Sequence, residues 1–507
     1  MNKWIVALSV ILPTLIEVID TSVVNVSLDH IRGSLSAGID EATWTITAYL
    51  VSNAIIIPIT GWLSRVFGRK NYLTFSVGLF TLSSFLCGSS KTLSQLIFFR
   101  IMQGVGGGAL QPISQAILLE TFPVAQHGMA MALFGVGVMF GPIIGPIVGG
   151  WITDNWSWNW IFYINIPIGV ISMLMIMFFI RDPHYLQRIK AKIDYWGLVL
   201  IAVGLGSLQI ILDKGQRLDW LSSAFIFRLS IISAASLILF IIVELRSSEP
   251  VVNLRVFKNI SFTSGNLIQF IAFFVLFGSI VLIPMYLQQL MGYNAMLAGL
   301  ALAPGGIATL ISMPIAGRLV TKINPKFILA TGIIITSYST FLMAQFNLYT
   351  NFDIVAWSRI GMGFGMGLVF IPLVNMTLSS IKKEEMGNAT GVFNLLRNLG
   401  GSFGVAFVTT LLARRSQFHQ SRLVENLNPF DQRFQLGASH SLSILQYKGI
   451  TGAAQAKGII YQRLLRESSM NSFVDAFFIS TLLLLCILPL VLFIKKVKKE
   501  EGAVPIH

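Results

Sequence analysis

The chain has 507 residues, 54% of them hydrophobic and only 11% charged, and carries a formal net charge of +14. A mean hydropathy of +0.74 lies outside the range of soluble globular chains and points to a polytopic membrane protein. The basic residues are dispersed over short loops rather than gathered in one stripe, which argues against nucleic-acid binding; both cysteines, Cys87 and Cys486, fall in apolar runs, which argues against a disulfide framework or a cysteine metal site.

The opening MNKWIVALSVILP has the lysine and apolar stretch of a signal peptide, yet the apolar character continues past Asp20 without a small-residue cleavage site. It is read as a retained first helix over 4–26. Runs long enough to cross a core of about 30 Å at about 1.5 Å per residue follow at 44–64, 72–89, 93–115, 129–152 and 160–180, and then at 195–212 and 224–244. Six more lie at 262–287, 297–317, 327–346, 353–375, 391–413 and 474–494. The expectation is an all-α membrane protein with fourteen transmembrane helices.

With the N-terminus in the cytoplasm, one side collects Lys3, Arg65, Arg69, Lys70, Arg181, Arg188, Lys190, Lys192, Arg246, Arg255 and Lys258, and further on Arg318, Lys322, Lys326, Lys382, Lys383, Lys495, Lys496, Lys498 and Lys499. The other side's short loops and helix ends receive Arg32, Lys91, Lys214, Arg217 and Arg228. This asymmetry places both termini in the cytoplasm. The long segment 414–473 falls outside, and its own basic residues do not enter the count because long loops translocate regardless of charge.

IPITGWLSRVFGRK at 57–70 returns as MPIAGRLVTKINPK at 313–326, and two spans later RIMQGVGGG from Arg100 returns as RIGMGFGMG from Arg359. Two features repeating in one order indicate parallel repeats with a midplane site between them. The division is a six-helix half over 1–193, an inserted pair and linker over 194–258, a second six-helix half over 259–499 that includes the loop 414–473, and a tail over 500–507.

These stretches resemble the major facilitator superfamily, and within it the fourteen-helix drug:proton antiporters of the EmrB/QacA kind. GWLSRVFGRK, which holds Gly61, Gly68 and Arg69, looks like the loop signature between helices 2 and 3, with Arg65 where an acidic residue is usual. RIMQG resembles the helix 4 signature. GVMFGPIIGPIVGG resembles the antiporter signature of helix 5 and contains Gly137, Gly141, Pro142, Gly145, Pro146, Gly149 and Gly150. DTSVVNVSL from Asp20 is similar to the helix 1 signature, with Ser22 for a usual Thr and Asp29 for a usual Pro. WNWIFYINIPIG at 158–169 matches apart from Asn159 in place of an Arg, and NLLRNLGGSFG at 394–404 completes the set.

A charge at the bilayer centre costs about 2.5 to 3.5 kcal/mol on insertion scales, so intramembrane carboxylates mark ion or proton pathways. Glu17 and Asp20 share one helix face. Asp20 lies roughly 12 Å below the outer surface and Arg100 roughly 10 Å, counted at the helical rise. Their pairing has two readings. One is a fixed ion pair that neutralises two costly charges. The other is a proton carrier, since in such pairs burial favours the neutral acid and a neighbouring cation the carboxylate, and a small rearrangement then moves a proton. Glu17 is a second proton- or cation-binding carboxylate or a residue lining a wet cavity. Asn25, Gln103 and Asn394 offer hydrogen bonds toward the interior, as interhelical ties or as cavity groups. Arg359 and Arg397 pair across the cavity with Glu17 or with helix-end carbonyls, or else meet an anionic or amphiphilic substrate. The Gly/Pro run permits close packing of backbones, and the resemblance adds a hinge or seal against proton leak.

No P-loop occurs, and no HExxH, CxxC or nucleophile-elbow pattern appears at a membrane face, so neither a nucleotide-driven pump nor an enzyme is expected. The resemblance implies proton-driven efflux of lipophilic drugs or fatty-acid-like compounds from the inner (cytoplasmic) membrane, with the proton motive force in place of any cofactor. It also implies a periplasmic membrane-fusion partner and an outer-membrane channel, engaged through 414–473; that segment's basic residues could equally bind lipid headgroups. A proton-coupled symporter or facilitator and a non-transporting sensor are the alternatives.

Overall fold

In the computed structural model the residues described are 2–123, 126–182, 194–247, 249–425 and 453–494, with isolated positions between 432 and 439. The described chain is helical throughout, without a strand. The principal helices are α1 (Lys3–Val26), α2 (Trp44–Phe67), α3 (Arg69–Gly88), α4 (Leu93–Gly107), α5 (Leu110–Thr121), α6 (His127–Asn155) and α7 (Asn165–Phe179). They continue as α8 (Tyr195–Lys214), α9 (Ala224–Arg246), α10 (Ile260–Gln289), α11 (Ala303–Lys322), α12 (Pro325–Met343), α13 (Phe352–Leu378), α14 (Met386–Glu425) and α15 (Ala453–Cys486). Twelve spans among the described residues are long and apolar enough to cross a membrane. The expected run at 93–115 is divided into α4 and α5 around Gly108 and Ala109. The run at 391–413 is part of a longer helix, and that at 474–494 begins within α15 and ends in a short 3-10 helix at Leu488–Phe493, so the near ends of the 414–473 segment continue α14 and α15. The NPF stretch within that segment, Asn428–Phe430, lies outside the described residues.

Helices α1–α7 pack together, as do α10–α15, and the two groups meet where α2 and α5 cross α14 and where α6 crosses α11 and α13. Of the intervening pair, α8 lies against both α2 and α14, while α9 packs chiefly on α8 and turns Ile231, Ile238 and Leu239 outward. Exposed large apolar side chains such as Phe178, Trp196 and Trp357 suit a lipid-facing surface.

One end of the bundle, the basic face, carries Lys3, Arg69, Lys70 and Lys326. There Arg69, only 2% exposed, forms an ion pair with Glu120 at the end of α5. Gly68 joins α2 to α3 at φ 83°, a left-handed conformation that a side chain would strain. The two groups also approach closely near this face. A Cβ on Gly61 would lie 2.6 Å from Asn388 Cα, and one on Gly128 would lie 2.7 Å from the Gly317 carbonyl oxygen. Arg65, one turn beyond Gly61, interacts electrostatically with Glu249 and Glu385 across that seam.

Helix α6 runs unbroken through Pro142 and Pro146. Its glycines at four-residue spacing form a groove that receives α1: a Cβ would meet Ile11 from Gly137 at 2.9 Å, Val18 from Gly141 at 2.6 Å, Ser22 from Gly145 at 2.5 Å and Val23 from Gly149 at 2.8 Å. Gly150, expected in the same set, faces nothing within 4 Å and lies outside the groove. The reason is helical period: a four-residue step returns to nearly the same face, whereas the next residue is turned by about 100°.

Candidate functional site

The glycine groove fixes α1 against α6 and leaves the opposite side of α1 to present its two acids to α2, α4, α5 and α7. Asp20 is fully buried. Arg100 Nη1 donates to its Oδ2 at 2.6 Å, and Gln103 Nε2 and Asn165 Nδ2 donate to its Oδ1 at 2.9 and 2.8 Å. Arg100, 1% exposed, also donates from Nη1 to Gln103 Oε1 at 2.7 Å and from Nε to the Thr45 carbonyl at 3.2 Å. Ser84 accepts from both Gln103 and Asn165. The pair is thus a charge-assisted network whose members are each held by a second partner. On the side away from the basic face, Val24, Cys87, Leu96, Trp158 and Phe162 form an apolar cluster, and the Phe162 ring lies 5.9 Å from the Arg100 guanidinium carbon. Asn159, where the resembled signature has Arg, donates to the Gly88 carbonyl at 2.6 Å and ties this cluster to the end of α3.

Glu17 lies one turn nearer the basic face and is 5% exposed. It accepts from Tyr49 Oη at 3.3 Å, from Asn53 Nδ2 at 3.4 Å and from Gln111 Nε2. Gln111 in turn accepts through Oε1 from Arg397 Nη2 on α14. Tyr49 joins the two acids, because its ring lies 4.2 Å from the Arg100 guanidinium carbon while its hydroxyl reaches Glu17. A continuous polar path therefore runs Asp20, Arg100, Tyr49, Glu17, Gln111, Arg397, passing from one helix group to the other. A second tie between the groups runs from Asn394 Nδ2 to Gln115 Oε1 at 2.8 Å.

Of the residues singled out from sequence, Asp20, Arg100, Gln103, Glu17 and Arg397 are brought together, and Asn394 stands beside them. Asn25 does not point inward: it is exposed in the last turn of α1, where Val23 and Val24 take the buried positions. Arg359 does not reach Glu17 either; its Nη1 donates to Ser279 Oγ at 3.0 Å within its own helix group. Tyr49, Asn53, Gln111, Gln115 and Asn165 complete the site without having been singled out. Each is a polar side chain within an apolar helix, and that was the available signal, although many such residues elsewhere only bond their own backbone.

The sequence profile of the Major Facilitator Superfamily matches residues 10–405. The chain is 37% identical to the multidrug export protein EmrB of Escherichia coli (strain K12), covering 97% of this chain and 95% of that one. It is 36% identical to the fatty acid resistance protein FarB of Neisseria gonorrhoeae, with 96% and 95% covered. Among solved structures it superposes on a double Trp mutant of XylE with a TM-score of 0.66 at 14% identity, covering 98% of this chain and 97% of that one. It also superposes on the human organic anion transporter MFSD10 with a TM-score of 0.60 at 13% identity, covering 96% and 100%. At those identities the structural likeness concerns the fold alone.

Proposed function

The chain belongs to the Major Facilitator Superfamily, and we propose that it is a proton-driven multidrug efflux antiporter for hydrophobic or amphipathic toxic compounds, fatty-acid-like molecules among them. The observation that carries this reading is the fully buried Asp20–Arg100 pair, linked through Tyr49 and Glu17 to Arg397 on the other helix group. A proton arriving on Asp20 cancels the charge that holds Arg100 Nη1. Arg100 then keeps Gln103, the Thr45 carbonyl and the Tyr49 and Phe162 rings, and its movement is felt by Glu17 through Tyr49. Because the path ends on α14, a change of charge at either acid alters the attraction between the groups, which is what alternating access requires. A proton entering down a potential of 100 mV releases about 2.3 kcal/mol, available to drive cargo outward.

In this reading the fourteen helices are arranged 6+2+6, with halves at 1–193 and 259–499 and the pair and linker at 194–258 between them. The basic face is the cytoplasmic side of the inner membrane and carries both termini. The close backbone approaches at Gly61 and Gly128 then correspond to a state closed toward the cytoplasm. The extension of α14 and α15 beyond the apolar spans, with Arg415 and His419 both bonded to Asp475, supports an ordered outer-face element suited to a periplasmic adaptor. EmrB and FarB, by name a multidrug exporter and a fatty acid resistance protein, support the cargo class.

Reconstituted Asp20→Asn protein, with an imposed pH gradient, tests the proposal. It is expected to remain folded and to lose substrate-coupled proton movement; undiminished coupled efflux would refute the role of Asp20. Trimming the outer extension separates adaptor docking from transport, since reconstituted transport should survive while cellular resistance in a two-membrane host is lost.

A further inference from the structure

The repeat between the two halves extends to the surroundings of their buried arginines. One sequence offset carries Arg100 to Arg359, Asp20 to Ser279 and Gln103 to Met362. The contacts follow the same correspondence. Arg100 Nη1 donates to Asp20 at 2.6 Å and to Gln103 at 2.7 Å, whereas Arg359 Nη1 donates to Ser279 Oγ at 3.0 Å and to Met362 Sδ at 3.3 Å. The second half thus keeps the guanidinium and its two contact positions but replaces the carboxylate by a hydroxyl and the amide oxygen by a thioether, a weak acceptor.

Arg359 is 5% exposed, and among the described residues no carboxylate lies within 4.0 Å of it. Its Nε has no hydrogen-bond partner. A guanidinium does not shed its proton, so burial cannot be relieved by neutralisation as it can for a lysine or an acid. A buried charge without a counter-charge is strongly destabilising. The neighbouring position on α11 is Gly305, where the helices cross closely: a Cβ there would stand 2.8 Å from the Arg359 carbonyl oxygen and 3.3 Å from its Nε, so no side chain from α11 reaches in to pair with the guanidinium at that position. The hydroxyl of Ser279 donates to the Leu276 carbonyl at 2.7 Å and can turn from it to donate to a ligand.

We propose that Arg359 binds a monovalent anion, supported by the Ser279 hydroxyl, at the place in the second half that the Asp20 carboxylate fills in the first. The ligand chemistry is a single compact negative charge. It has two sources, a free halide or the carboxylate head of an acidic amphiphile, and the inference does not depend on the direction of transport.

Thermal unfolding of the full chain in nanodiscs of zwitterionic lipid, in a gluconate buffer, tests this. Titration with chloride, and separately with decanoate against methyl decanoate, is expected to raise the wild-type midpoint saturably for at least one anion and not for the ester, because a ligand bound only by the folded state stabilises it. Ser279→Asp supplies a built-in counter-charge, so its midpoint in gluconate should equal or exceed that of the anion-saturated wild type, with the anion response lost. Arg359→Gln should also lose the response. A chloride effect assigns the site to the free ion, and a decanoate effect alone assigns it to a carboxylate head group. No shift with either anion, or a shift that persists in Arg359→Gln, overturns the proposal; should Ser279→Asp fail to fold, the wild-type and Arg359→Gln titrations still decide it.

Discussion

The ring of Tyr49 packs 4.2 Å from the Arg100 guanidinium carbon, and the same residue's hydroxyl donates to Glu17, so one side chain contacts the partner of one buried acid and binds the other directly. Tyr49→Phe keeps the ring and removes the hydroxyl. Leaving a buried acceptor without its donor costs about 1 to 3 kcal/mol, while the Asp20–Arg100 pair stays intact. The variant should fold normally and show coupled transport slowed by roughly tenfold or more, a factor of ten corresponding to about 1.4 kcal/mol. Proteoliposome flux under a fixed pH gradient measures this, and an unchanged rate would remove Tyr49 from the coupling path.

Arg100 supplies the positive charge beside Asp20. With Arg100→Ala that charge is gone, and loss of a cation beside a carboxylate generally favours its protonated form. The pH at which transport is half-maximal should therefore move toward alkaline values, with a lower maximal rate. A pH–rate profile of the reconstituted variant checks the sign. If the profile stays in place, the pair is only structural.

The glycine groove of α6 yields a stability prediction with an internal control. A side chain at Gly145 would meet Ser22 Cβ at 2.5 Å, whereas one at Gly150 meets nothing within 4 Å. Overpacking costs about 1 to 3 kcal/mol, so Gly145→Val should lower the unfolding temperature in detergent and Gly150→Val should leave it nearly unchanged. Equal effects at the two positions would contradict the groove.

At the basic face Arg65 interacts with Glu385 and Glu249 across the seam between the helix groups. Arg65→Glu replaces attraction by repulsion and should loosen closure there, raising the labelling of a cysteine placed at buried Ser64 by a bulky polar thiol reagent in a Cys87, Cys486-free background. The added change Glu385→Arg should bring labelling back down. If the double variant labels as fast as the single one, the Arg65–Glu385 interaction does not contribute to closure.

The all-helical, membrane-spanning character of the chain was legible in the sequence because a bilayer requires long apolar runs with internally satisfied backbone, and that requirement is one-dimensional. Asp20, Glu17 and Arg100 stood out for the same reason, as charges in segments that tolerate few. Partnership was not legible. The sequence offered Arg359 and Arg397 as equivalent partners for Glu17, but only Arg397 reaches it, through Gln111, because α14 crosses α5 at that depth while Arg359 is turned toward Ser279 on α10. Asn25 and Gly150 show the same limit, since a residue's helix can be read from hydropathy but the direction of its side chain depends on which neighbour that helix packs against. Composition and periodicity thus determined a bundle of membrane helices with costly charges inside it. Which charges meet, and which, like Arg359, have no carboxylate within 4.0 Å among the described residues, was decided only by the rotation and crossing of helices far apart in the chain.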